Sequence, residues 1–549
     1  MRNFFSILAT HRARLDAFFE KRWLVLPLFS AFFIILSLYP FRVPFLVFIA
    51  FIPFFYFVNF SATLSFRKIF LGGAAAGVII FFTLSYSTVT QFKWIPEAYL
   101  FEYIFHILFI PLALIGGFIS GFFLLFYRFL RTHNIFFNFF LMGLTVITEI
   151  ILSWIFGGYY FFTLASTVVD IPFLMRLAGL GGMFLISLAI YFTNAIFVLF
   201  LLARTRADVK KVSIITLAFF VILAISSGGI LSQKEQNDLG ETKPLKIALI
   251  QDLDKKEGAF GKTEEDGSFR FEGLETRLRE AAAHNPDIIV YPFSPVNGAF
   301  VEDASPPVFN KGVLAVRTEV FAQWLEERVP PETLVITWDS VYRNSAFYNE
   351  FTYWKDGAIV ERYAKRDAFP FFDYTPRWAQ NLGLFSTPFD TIAGDNDGIV
   401  SLPEGVFGNI LCSEVNTQKL AREDARKVSL LFSLGSEAAF ADDVASAFTL
   451  ANARFRAVEN GVFVVRGNRF GPSAIISPEG KIITKMSFGE EGVLATTILL
   501  RGRVPTPFAR YGNTPLYILL AGIIAGGIFS RFLRARKQKR NFRESNYIP

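Results

Sequence analysis

The sequence predicts a polytopic α-helical membrane bundle of about eight transmembrane helices joined to an exported α/β domain. Three observations lead to this fold class. Of 549 residues, 53% are hydrophobic and 68 are phenylalanine, against roughly 45–50% apolar in soluble domains. The excess is concentrated in residues 24–232 and 515–532, whose apolar runs are nearly free of charge, while 240–510 alternates charged and apolar residues. Lysine and arginine gather at alternate connections between the apolar runs. The chain therefore divides into a membrane region at 1–235 with seven helices, a water-facing domain at 240–510, and a closing helix with a basic tail at 511–549.

A membrane helix needs about 20 mostly apolar residues to cross roughly 30 Å of hydrocarbon. Runs of that kind lie at 24–40, 43–60, 69–88, 104–127, 136–156, 180–202, 212–231 and 515–532. The stretch at 160–175, "YFFTLASTVVDIPFLM", is short and interrupted, and reads as an interfacial or re-entrant piece. Arg12, Arg14, Lys21 and Arg22 precede the first run, and a second span follows it with no small-residue cleavage site. That pattern describes an anchor, not a cleaved signal peptide. Glu149 inside the fifth span, and Asp170 and Arg176 beside the sixth, are costly near lipid and should face the bundle or the surface.

Basic connections stay on the cytoplasmic side. Arg67 and Lys68, Arg128 and Arg131, and then Arg204, Arg206, Lys210 and Lys211 mark every second connection, and "RFLRARKQKR" marks the tail. Both termini then fall in the cytoplasm and 240–510 lies outside. Topology explains the formal charge of +7, with contact to anionic lipid as an addition. A nucleic-acid partner is not expected, because basic residues recur at each cytoplasmic turn instead of forming one patch.

In the exported region, "LKIALIQ" (245–251) reads as a buried strand, "FEGLETRLREAAAHN" (271–285) as a helix with a charged face, and "PDIIVYPF" (286–293) as a second buried strand. Strands follow at 332–342, 346–354 and 358–365, the last two joined by the turn Lys355-Asp356-Gly357. "GNILCSEV" (408–415), "VSLLFSLG" (428–435), a helix at about 442–460 and strands within 462–486 complete the series. Alternation of helices with continuous apolar strands indicates an α/β domain.

The chain holds one cysteine, Cys412. It cannot close an intramolecular disulfide, so an exported thiol is either inert core filling or a chemical group. Its place at the end of the strand "NILC" is the usual address of a reactive residue in an α/β domain.

The order "IALIQ", "DIIVYP", "RNSAF", "GAIVERYAKRDAFPFFDYTP", "GNILCSEV", "ANARFRAVENGVFVVRGNRFGPSAIISPEGKI" resembles the carbon–nitrogen hydrolase (nitrilase) superfamily. The seven-plus-one helix frame narrows the resemblance to the apolipoprotein N-acyltransferase family. "TEIILSWIFGGYYF" (148–161) and "LAGLGGMFLISLAIYFTNA" (177–195) are similar to that family's fifth and sixth helices. The resemblance implies an αββα sandwich of two central sheets flanked by helices, placed outside the bacterial cytoplasmic membrane. It also implies a phospholipid acyl donor, a diacylglyceryl lipoprotein whose N-terminal amine is the acceptor, a monomer, and neither cofactor nor metal.

The family uses a glutamate, a lysine and a cysteine in that chain order. The nucleophile falls on Cys412, whose thiolate would attack an ester and whose thioester an amine would displace. The lysine falls on Lys365, an ammonium expected to lower the thiol pKa and stabilise an oxyanion, although beside Arg366 it also reads as a surface cation. The base would follow "DIIVYP", where Pro292 is succeeded by Phe293, a degenerate general-base position. Asp373 and Glu414 match accessory acids of the family, and Glu302 and Asp303 are further carboxylates on a loop. If Glu414 shares a strand with Cys412, a period of two puts both side chains on one face. The aromatic stretch 371–385 reads as a lid or as ordinary packing. Besides an acyltransferase, an inactive relative that binds lipid or lipoprotein and a membrane-bound amidase remain open readings.

Overall fold

The computed structural model describes residues 14, 17–38, 40–60, 64–89, 113–125, 128, 145–151, 153, 163–203, 205–228, 243–253, 262–263, 269–270, 272–292, 298–303, 314–370, 373–383, 390–437, 443–500 and 505–545. The chain forms two compact units, one from Met1–Gly157, Phe162–Ile230 and Tyr511–Pro549, the other from Gly158–Phe161 and Leu231–Arg510.

The first unit is helical: α1 (Val25–Ser37), α2 (Ile52–Phe60), α3 (Phe66–Val89), α4 (Met183–Leu202) and α5 (Arg206–Gly228), with a long helix at Thr514–Ser545. Among the described residues, two stretches are long and apolar enough to cross a membrane, Phe66–Thr83 and Met183–Leu202. The apolar helices at Val25–Ser37, Ala113–Leu125 and Thr514–Phe529 are shorter. The second expected span is broken, with a 3-10 turn at Pro44–Phe48 before α2. Of the expected spans, 104–127 is described at 113–125 and 136–156 at 145–151 and 153, and the rest of each lies outside the described residues. The 160–175 stretch forms short turns, Leu164–Val168 and Pro172–Met175. Small residues bring α3 against the 113–125 helix: a methyl added at Gly77 would lie 2.4 Å from Ser120 Oγ. Glu149 faces the interior of this unit, its Oε1 accepting from the Leu164 N–H at 2.8 Å.

The second unit is built on two sheets. The first contains β1 (Lys243–Gln251), β2 (Ile288–Tyr291), β3 (Gly298–Val301), β4 (Leu314–Arg317), β5 (Leu334–Arg343), β6 (Ala346–Lys355), β7 (Ala358–Ala364) and a late strand, Gly492–Leu500. Its order is Gly492–Leu500, β1, β2, β5, β3, β4, with β6 on β5 and β7 on β6. The second holds β8 (Ile399–Leu402), β9 (Gly405–Leu411), β10 (Leu430–Ser436), β11 (Phe463–Arg469), β12 (Ser473–Ile476) and β13 (Ile482–Met486) in sequence order. β1, β2 and β5 run parallel, as do β9, β10 and β11.

Strand periodicity explains the layers. In β1, Ile247 and Leu249 point between the sheets, where they meet Phe407, Leu411, Phe432 and Val465, while Ala248 and Ile250 point outward to Leu274, Leu278 and Phe321. Those outward partners come from α6 (Glu272–Ala282) and α7 (Thr318–Glu326). On the far side, Ile410, Leu431 and Val464 pack on Ala421 and Ala453 from α8 (Gln418–Ala425) and α9 (Asp443–Asn460). The result is the four-layer αββα sandwich, with buried apolar residues on both faces of each parallel core as the continuous runs require.

Candidate active site

β9 ends at Leu411, and Cys412–Asn416 turns into a 3-10 helix. "GNILCSEV" is thus a strand only as far as Leu411, and the condition under which Cys412 and Glu414 would share a strand face is not met. Cys412 starts the turn with φ at +52°, a left-handed conformation that costs a residue with a side chain on the order of 1–3 kcal/mol. The turn places the cysteine just beyond the carboxyl end of β9, beside the end of its parallel neighbour β10. Leu411 pairs with Leu434 and Gly435 with Asn468, so Cys412, Gly435 and Asn468 form one row at the edge of the second sheet.

Lys365 follows β7 and is buried at 3% exposure, which removes its reading as a surface cation. Its main chain is fixed on both sides: its N–H donates to Asn349 O at 2.8 Å and its carbonyl accepts from Gly394 N at 2.7 Å. Its ammonium donates to Asp373 Oδ2. Asp373 is itself held by the Phe369 N–H at 2.6 Å and by Asn349 Nδ2 at 2.7 Å. Burial works against the Lys365 charge, but the Asp373 carboxylate and the nearby Cys412 outweigh it and hold the lysine pKa above its usual value.

For Cys412 the balance falls the other way. Burial pushes the thiol pKa up, the Lys365 charge opposes this, and the charges of Asp373 and Glu437 add to the rise. Lys365 lowers the thiol pKa as expected, but desolvation and the two carboxylates exceed its effect, so the net shift is upward.

Glu414 is fully buried. Its Oε1 accepts from the N–H groups of Arg366 and Asp367 at 2.8 and 3.0 Å, and its Oε2 from Tyr363 OH and Leu411 N–H, both at 2.7 Å. It ties the segment after Lys365 to the end of β9. Burial raises its pKa against these donors. Glu302 and Asp303 are engaged elsewhere: Glu302 pairs with Arg362 at 2.5 Å, and Asp303 accepts from the N–H groups of Asn344 and Ser345 at 2.7 and 2.8 Å. Phe293 lies outside the described residues, as do 371–372 and 384–385 of the aromatic stretch. The described part of that stretch contains a short helix, Arg377–Asn381, with Trp378 and Leu382 exposed. No group of three or more His, Cys, Asp or Glu side chains able to hold a metal occurs among the described residues.

Sequence reasoning missed Glu437. It follows β10 by one residue, is 5% exposed, and its Oε1 accepts from Arg466 Nη2 at 2.6 Å, Asn468 Nδ2 at 2.9 Å and Thr449 Oγ1 at 2.7 Å. The signal was positional: β10 is the parallel neighbour of the cysteine strand, and its carboxyl end is the same kind of address.

Residues 30–196 match the family model for the apolipoprotein N-acyltransferase N-terminal domain, and residues 331–506 match the carbon–nitrogen hydrolase model. An apolipoprotein N-acyltransferase of Aquifex aeolicus is 28% identical over 342 residues, covering 62% of this chain and 71% of that protein. The Haemophilus ducreyi apolipoprotein N-acyltransferase is 24% identical over 461 residues, covering 81% of this chain and 84% of its own. Among solved structures, the Saccharomyces cerevisiae nitrilase-superfamily protein Nit3 aligns with 50% of this chain and 98% of its own, at 16% identity and a TM-score of 0.35. Two family models, over residues 30–196 and 331–506, and relatives named apolipoprotein N-acyltransferase together support placing the chain in that acyltransferase family, with a carbon–nitrogen hydrolase α/β unit.

Proposed function

We propose that the chain transfers a fatty acyl group from a phospholipid to the N-terminal amine of a diacylglyceryl-modified lipoprotein, through a thioester on Cys412. One observation carries the reading: a lone thiol stands beyond a parallel strand end, within the field of a buried ammonium that its own carboxylate keeps charged. In the first half-reaction the Cys412 sulfur gives up its proton and attacks the donor's ester carbonyl. The Lys365 ammonium stabilises the developing thiolate and oxyanion, and the lysophospholipid leaves with a proton. In the second, the acceptor amine attacks the thioester, an amide forms, and the thiol is restored. Asp373 positions Lys365, and Glu414 positions the loop that carries it.

The donor reaches the site from a membrane, and we assign the chain to the bacterial cytoplasmic membrane with about eight spans. Both termini face the cytoplasm and residues 240–510 lie outside. The distribution of lysine and arginine over the connections supports this orientation. The chain is assigned as a monomer that needs no cofactor.

Phe293, where the family resemblance expects a glutamate, favours a second reading, an inactive relative that binds lipid or lipoprotein. The test uses the full chain in proteoliposomes with acyl-labelled phospholipid and a synthetic diacylglyceryl-cysteine peptide. Formation of a hydroxylamine-resistant amide on the peptide, lost in Cys412→Ala, is expected. Peptide binding without any amide would establish the second reading instead.

A further inference from the structure

A protonated thiol needs a proton acceptor before it can attack an ester, and the position expected to supply one holds Phe293. Three other carboxylates act on the site, and a census of their oxygens separates them. Glu414 has both oxygens filled by four donors. Asp373 has Oδ1 filled by Asn349, and Oδ2 by the Phe369 N–H and the Lys365 ammonium, so protonating it breaks the pair that keeps the lysine charged. Glu437 differs. All three of its side-chain hydrogen bonds land on Oε1, and Oε2 accepts none among the described residues.

The asymmetry has a structural cause. Arg466 and Asn468 reach Glu437 from β11 and Thr449 from α9, fixing one oxygen and leaving the other unclaimed. The main chain is pinned as well, since the Glu437 N–H donates to Arg469 O at 2.9 Å. Gly435, two residues earlier, lies directly beside the cysteine: a methyl placed there would be in ordinary contact with Cys412 Cα at 3.7 Å and Asn468 Oδ1 at 3.8 Å. Asn468 Oδ1 is itself buried without a hydrogen-bond partner among the described residues, an acceptor of the kind an incoming amine N–H requires.

We propose that Glu437 is the general base and acid of the acyl transfer, exchanging protons with Cys412 and the substrates through Oε2. The proposal deepens the thioester reading and rests on it. Oε2 takes the Sγ proton as the S–C bond forms, and returns it to the lysophospholipid oxygen as the ester C–O bond breaks. In the second half-reaction Oε2 takes a proton from the attacking amine and gives it to the departing sulfur.

The test compares the wild-type full chain, Glu437→Gln and Glu437→Asp in proteoliposomes of phosphatidylethanolamine and phosphatidylglycerol with labelled acyl chains. Two quantities are read: the rate of hydroxylamine-sensitive acylation of Cys412, and the pH midpoint of its alkylation by iodoacetamide. Glu437→Gln preserves shape and an acceptor for Arg466 but strands that arginine's buried charge, whereas Glu437→Asp keeps the charge and is the variant expected to fold as the wild type. Acylation at pH 7 should fall about 10²–10⁴-fold, the usual worth of a general base. The alkylation midpoint should move down, because a negative charge beside the thiol has gone. Glu437→Asp should recover part of the rate. A carboxylate acting only as an electrostatic neighbour gives the opposite rate effect, since more thiolate would be present in Glu437→Gln. Acylation that is unchanged or faster in Glu437→Gln overturns the proposal, as does an unchanged midpoint. Absence of any adduct in the wild type overturns the thioester reading itself, a separate failure because the midpoint shift needs no acyl transfer.

Discussion

Replacing Lys365 by methionine removes the cation paired with Asp373, and the structure sets two consequences of similar size that different assays separate. The first concerns stability. Lys365 and Asp373 are 3% and 7% exposed at their side chains, so truncating the lysine strands a buried carboxylate. Breaking such a pair typically costs about 3–5 kcal/mol. The Phe369 N–H and Asn349 amide still donate to Asp373, which places the expected cost near the lower end. The second concerns catalysis: loss of one preorganised group facing a developing oxyanion costs about 10²–10³-fold in rate. The alkylation midpoint of Cys412 should also rise, because the lysine charge opposes the effect of burial on the thiol. The double variant Lys365→Met/Asp373→Asn separates the two effects. The neutral amide removes the stranded charge, so thermal stability should return most of the way, while acylation of Cys412 stays at least about 10²-fold down. A double variant that acylates at the wild-type rate would refute the role of the ammonium. A single variant as stable as the wild type would refute the electrostatic coupling of the pair.

Glu414→Gln places an amide NH₂ where two of the four donors now point, since each carboxylate oxygen accepts two of them. Stability should fall by about 1–3 kcal/mol, measured by thermal unfolding, and the pH dependence of the remaining acylation should keep the wild-type shape. Asp339 is fully buried, accepts from Thr337 Oγ1 at 2.5 Å, and has its carboxyl pKa raised from 3.8 to about 7 by burial. The native state therefore holds a proton that the unfolded chain releases. This carboxyl contributes its full stability below pH 4 and loses about 1.4 kcal/mol per pH unit on rising to about 7, beyond which the loss levels off. Asp339→Asn should flatten that slope and be more stable than the wild type at pH 8. Denaturant titration of the two proteins at pH 5 and pH 8 checks this.

Much of the α/β unit was legible because its strands are local patterns. "LKIALIQ" is continuous, apolar and short, and it became β1 with one residue set facing each layer. The helix expected at about 442–460 is observed at Asp443–Asn460. Cys412, Lys365, Asp373 and Glu414 were named from the sequence, and the first three meet around one thiol. What was not legible depends on tertiary geometry. Nothing in "GNILCSEV" announces that the strand stops at Leu411, since the left-handed turn at Cys412 breaks a run that alternates no differently before and after. The sign of the thiol shift depends on burial against Lys365, which spacing along the chain cannot reveal. Glu437 escaped notice because its partners Thr449, Arg466 and Asn468 come from a later helix and strand, leaving no local signature. In the helical unit, hydropathy marked eight runs, whereas two described helices are both long and apolar enough to span. The 3-10 turn at Pro44–Phe48 shows how proline divides an apolar run into shorter pieces.

The most direct measurement is the mass of the peptide containing Cys412 after the purified full chain has been incubated with phospholipid and quenched in acid. The account requires one fatty acyl group on that peptide, released by hydroxylamine and discharged when a diacylglyceryl-cysteine peptide is added. An unmodified peptide, or an acyl group that forms equally in Cys412→Ala, would contradict it.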